Sequence, residues 1–111
     1  MKKVLVLLNA GSEDPSRVAS ALGLSRVLQS SPDIERVALI FFANAVELLT
    51  DEKYKEMTEQ LIADGVFTLA CQRHAEQKNI VDELRSGPVT LKYVGEDIVK
   101  LLNEDYEIIT F

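Results

Sequence analysis

The chain holds one cysteine and one histidine, and they stand three residues apart in Cys71-Gln72-Arg73-His74. A thiol with positive neighbours can attack as a thiolate or carry a group covalently. The preceding run, Gly65-Val66-Phe67-Thr68-Leu69-Ala70, is apolar and β-prone and opens on a glycine. It predicts a buried strand over Val66–Ala70, with Cys71 at its carboxyl end and a helix to follow. In open α/β sheets ligands gather at that edge, and the first amides of the next helix favour an anion there. Arg73 and His74 are the candidate thiolate stabilisers, although for His74 a helix-surface position is the plainer reading. A free cysteine also packs well as a small apolar side chain, so a structural Cys71 is the competing expectation.

Other chemistries fail on residue type. One cysteine and one histidine fall short of the three or four protein ligands of a zinc site, so no metal and no cofactor are expected. A thioredoxin-like pair needs a second cysteine where His74 stands. A cysteine phosphatase loop needs an arginine where Gln77 stands. A dinucleotide site needs a glycine-rich turn after the first strand, yet Asn9 to Pro15 offers only Gly11 and adds Glu13 and Asp14. A phosphate-accepting receiver domain needs acidic residues where Asn9 and Cys71 stand. A thiolate without a second catalytic group suits carrying a group better than a multistep reaction.

Bulk properties narrow the class further. A chain of 111 residues has room for one domain, taken as 1–111. A formal charge of −6 without a basic patch argues against nucleic acid as a partner. The longest uncharged, mostly apolar run, Val37 to Val46, is too short to cross a membrane. Met1-Lys2-Lys3 followed by Val4–Leu8 superficially resembles a secretion signal, but the run is short and lacks a cleavage pattern. It reads as a first strand, and a cytoplasmic protein is expected. The lone thiol fits a reducing compartment.

Hydrophobic patterning supplies the elements that must position the thiol. Val4–Leu8 is a strand covered on both faces, and Asp14-Pro15 opens a helix that Ser30-Ser31-Pro32-Asp33 ends. Val37–Phe42 is the strongest strand, and Ala43–Leu49 reads as a short helical turn. Thr50 is the expected cap of a helix over Asp51–Asp64, which Gly65 stops. After Cys71, Ala75–Arg85 reads as one helix, Val89–Val94 as a strand, Gly95–Asn103 as a helix and Tyr106–Phe111 as an edge strand. Strict strand–helix alternation predicts an α/β fold, a three-layer α/β/α Rossmann-like domain with a mostly parallel five-stranded sheet. Asn9 and Asn44, both at strand ends, are candidate pocket-lining residues, with turn shaping as the plainer reading.

Two stretches carry a family likeness. Ile40-Phe41-Phe42-Ala43-Asn44-Ala45-Val46-Glu47-Leu48-Leu49, then a helix, then Gly65 to Cys71, resembles the small DsrE/DsrF-like (YchN-like) proteins. The tail, Val94–Leu102 followed by Asp105-Tyr106-Glu107-Ile108-Ile109, resembles them too. The resemblance implies a compact Rossmann-like domain that forms a homo-oligomer, a trimer or hexamer. It also implies that Cys71 carries sulfur as a persulfide and exchanges it with a protein donor or acceptor, as in sulfur-oxidation or tRNA-thiolation relays. A non-catalytic oligomeric binding module of the same fold, with Cys71 merely packed, is the alternative.

Overall fold

The computed structural model describes residues 1–111. Lys2–Leu8 forms β1, Pro15–Ser30 α1, Ile34–Phe41 β2, Glu52–Ala63 α2 and Phe67–Cys71 β3. Gln72–Gln77 (α3) and Val81–Arg85 (α4) precede the short β4, Thr90–Lys92, then α5, Gly95–Asn103, and β5, Tyr106–Thr110. Ala43–Thr50 is a 3₁₀ helix between β2 and α2. The sheet runs β4-β3-β2-β1-β5 and is parallel throughout.

That order fixes how the faces are covered. The chain steps one way from β1 to β4, then returns past β1 to add β5. Right-handed crossovers put the helices of the forward steps on one face and α5 on the other. With nine residues, α5 spans roughly 14 Å, about three strand spacings. Register places Leu5, Ala38, Phe67 and Ile108 on one face. Leu5 and Ala38 are buried there, whereas Phe67 and Ile108, which flank that pair, stay exposed. Alternation along β3 brings Leu69 and Cys71 to the same face as Phe67. The 26-residue apolar core includes Cys71.

Helix ends show how local sequence sets the frame. Asp14 caps α1 by accepting from the Arg17 amide at 3.1 Å, and Pro15 opens the helix. The expected Thr50 cap is corrected to Asp51, whose carboxylate accepts from the Lys53 amide at 2.9 Å. Thr50 is still inside the 3₁₀ helix and donates its hydroxyl to the Glu47 carbonyl, whereas Asp51 has the extended backbone a cap requires. Gly65, at φ 105, closes α2: its own amide bonds to Ile62 O, and the Val66 amide bonds to Leu61 O.

The single helix expected over Ala75–Arg85 is two. Asn79 adopts φ 58, with its amide on Glu76 O and that of Ile80 on Ala75 O. This is the same left-handed stop that Gly65 makes, built on asparagine. In addition, α3 begins at Gln72, directly after Cys71, with no intervening loop. The strand expected over Val89–Val94 contracts to Thr90–Lys92, because β3 offers only Leu69 to Cys71 as partners. Tyr93 and Val94 are thereby released from the ladder.

Gly11 is buried where the β1–α1 loop meets the 3₁₀ helix. A Cβ there would lie 2.5 Å from the Asn44 carbonyl oxygen and 2.7 Å from Glu47 Oε1. Backbone cannot yield as a side-chain tip can, so Gly11→Ala is expected to destabilise the fold by about 1–3 kcal/mol, the usual cost of overpacking. Urea unfolding measures this directly.

Candidate functional site

Three chain segments meet around Cys71. Phe42 follows β2; Cys71, Arg73 and His74 run from the end of β3 into α3; and Tyr93, Val94 and Gly95 join β4 to α5. Together they line a cleft of about 360 Å³. Cys71 occupies the N-cap position of α3, where its side chain makes no capping hydrogen bond. The residue is 4% exposed, more enclosed than its place at a strand end suggests, and it forms part of the cleft wall.

Arg73 and His74 both stand at this cleft, but they are engaged elsewhere. The Arg73 guanidinium lies 6.0 Å from the Tyr93 ring centroid, and the Tyr93 hydroxyl donates to Glu76. That hydrogen bond lowers the Glu76 carboxyl and raises the Tyr93 phenol from their ordinary values. His74 Nδ1 accepts from the Ala43 amide at 3.0 Å, and its ring meets Phe42 edge-on at 4.5 Å. An acceptor Nδ1 fixes the neutral imidazole with its proton on Nε2.

Asn9 and Asn44 are not among the residues that line the cleft. The Asn9 amide bonds to the Phe111 carbonyl at 2.8 Å, with its side chain on the same oxygen at 3.3 Å, so it ties β1 to the chain end beside β5. Asn44 donates to Glu13 Oε1 at 3.0 Å, and the Glu13 carboxylate also accepts from the Gly11 amide. Both shape loops, as asparagine commonly does. Nearby, Glu47 joins three segments by accepting from Ser12 and from Lys78 at 3.4 Å. Burial pushes its carboxyl up, but the Ser12 hydroxyl and amide and the Lys78 ammonium outweigh that and hold it below its ordinary value.

A model of the DsrE/DsrF-like family matches residues 2–111. The chain belongs to the DsrE/DsrF-like family. The ychN protein from E. coli has the same fold at TM-score 0.77 and 18% identity, each chain covered over 100% of its length. A Methanobacterium thermoautotrophicum protein of unknown function matches at TM-score 0.79 and 18% identity, again over 100% of both chains. A conserved Bacteroides thetaiotaomicron protein of unknown function matches at 0.78 and 16%, over 99% of this chain and 95% of its own. Likeness at these identities is one of fold. No curated protein matches the chain. No helix is long and apolar enough to cross a membrane.

For this DsrE/DsrF-like chain, sequence reading passed over Phe42, Tyr93, Val94 and Gly95. All of them sit at the carboxyl ends of strands, so the rule that singled out Cys71 could have found them.

Burial is the main cause that holds His74 below its ordinary value of 6.5, with the Arg73 and Lys78 charges adding to it. The unfolded chain therefore takes up this proton at higher pH than the folded one. The resulting stability is fully present above 6.5 and is lost as pH falls through the lower folded value. Wild type is expected to lose stability more steeply than His74→Asn on acidification below 6.5, as read by urea midpoints across pH.

Proposed function

We infer that the protein carries sulfane sulfur as a persulfide on Cys71 and passes it to a protein partner. What carries this reading is the position of its only thiol: free of hydrogen bonds, at the junction of β3 and α3, on the wall of a cleft in a DsrE/DsrF-like chain. The first turn of α3 begins directly after Cys71, and Arg73 lines the same cleft.

The exchange is redox-neutral. The Cys71 thiolate attacks the outer sulfur of a donor persulfide, a new S–S bond forms at Cys71, and the donor leaves as its thiolate. An acceptor thiolate then attacks the outer sulfur, and Cys71 returns to its starting state. Each step breaks one S–S bond and makes another, so no oxidant is consumed. The cleft wall is mostly apolar, and the exposed edge formed by Arg73 and Tyr93 is where a partner would approach.

A homo-oligomer, trimer or hexamer, belongs to the same reading. Val99 and Leu102 on α5 and Ile108 and Ile109 on β5 are exposed apolar side chains on consecutive elements, which supports burial against further copies. A cytoplasmic setting belongs to it as well, since a reducing compartment keeps the thiol free for exchange.

Incubation with a low-molecular-weight persulfide donor, followed by intact-mass measurement, tests the carrier role. Wild type is expected to gain one sulfur atom, and Cys71→Ser none. Equal gain by both proteins, or no gain by wild type, would defeat it.

A further inference from the structure

Four residues have positive φ, and three of them end helices: Gly65 after α2, Asn79 after α3 and Asp105 after α5. Ala43, at φ 51, does not. It opens the 3₁₀ helix, with Phe42 alone between it and β2, and its Cβ makes this backbone costly, so the surroundings must hold it. On one side the Phe42 amide is fixed to the Leu8 carbonyl at 2.8 Å, the last rung between β1 and β2. On the other, the Ala43 amide is fixed to His74 Nδ1 at 3.0 Å. Between the two anchors lies Phe42, whose ring packs on His74 and forms a wall of the Cys71 cleft.

We propose that His74 is a positioning residue: its neutral Nδ1 latches Ala43 in the left-handed turn, sets the Phe42 wall, and so keeps the Cys71 cleft assembled only while the imidazole is uncharged. Describing that cleft as the sulfur site rests on the function inferred above; the latch itself does not. Protonating Nδ1 would set one N–H against another, and the strained turn would lose the bond that maintains it. Arg73, Lys78 and Glu76 are the charged groups on the segment that carries His74. Lys78 is paired to Glu47 of the 3₁₀ helix, Lys92 on β4 is paired to Asp97, and Tyr93 and the Cys71 thiol stand at the same cleft. Burial first, then the Arg73 and Lys78 charges, favour the neutral ring.

The protein has one histidine and one cysteine, so both readouts are free of overlap. Nitrogen-15 NMR at about pH 8, above the ordinary histidine range, is expected to show the Nε2–H tautomer with Nδ1 as acceptor. The Ala43 amide resonance should then move with the imidazole on acidification. Alkylation of Cys71 supplies the second measurement. His74→Asn keeps an acceptor near Nδ1 without titrating, and His74→Leu keeps bulk without an acceptor. His74→Asn is expected to alkylate at the wild-type rate near pH 8 and to lack the acid-dependent step. His74→Leu is expected to alkylate about fivefold faster than His74→Asn at every pH, the population shift that losing one hydrogen bond of about 1 kcal/mol gives. An Nδ1–H tautomer in wild type, or equal rates for the Asn and Leu variants, would overturn the latch. Neither readout uses a sulfur donor, so a failure of Cys71 to take up sulfur would remove the carrier role and leave the latch intact.

Discussion

The direction reversal after β4 is the constraint from which the site follows. Four parallel strands are laid down in one direction, and the fifth must return to the far side of β1. Crossover handedness then leaves α5 alone on one sheet face. A nine-residue helix cannot cover a five-stranded sheet from end to end. Its start therefore stands over the carboxyl end of β3, where Val94 and Gly95 close one side of the Cys71 cleft. On the same face Phe67, which borders α5, and Ile108 remain exposed. The enclosed thiol and the exposed Phe67 lie on the same face of β3.

Within that frame, the carboxyl edge is fastened by a few polar bonds. Glu47 links the β1–α1 loop to the α3–α4 junction through Ser12 and Lys78. Gly11 lets the 3₁₀ helix approach that loop at backbone contact. His74 pins the amide that follows the β2 ladder. Each bond is modest alone, at about 1 kcal/mol net, but together they hold three loops in one register around Cys71. The left-handed Ala43 shows that the register costs backbone strain, which persists because the neighbouring strand end and His74 both restrain it.

Much of the architecture was legible in the residues. Unbroken apolar runs at Val4–Leu8 and Val37–Phe42 mean strands buried on both faces, and α/β alternation follows. The placement of Cys71 at a strand end was legible too, because Gly65 and the β-prone run after it punctuate the chain on either side. The failures are of another kind. The apolar pattern runs through Asn79 without a break, although asparagine tolerates the left-handed stop that divides α3 from α4. Thr50 and Asp51 are both good caps, and the choice between them depends on how far the 3₁₀ helix runs, which is a matter of packing. Asn9 and Asn44 were grouped with Cys71 because all end strands, but strand position across the sheet decides proximity. Asn9 lies beside the chain end at β5, and Cys71 belongs to β3. The His74–Ala43 bond joins residues far apart in sequence and had no local signal.

The most direct measurement is the alkylation rate of native Cys71 across low urea concentrations, below the unfolding transition. A thiol that reacts through the cleft of the folded protein should give a rate that stays flat over this range. A thiol sealed in the core should instead react only on opening of the whole fold, with a rate climbing with urea along the slope of global unfolding. The flat profile is expected, and the climbing one would contradict a sulfur-carrying Cys71.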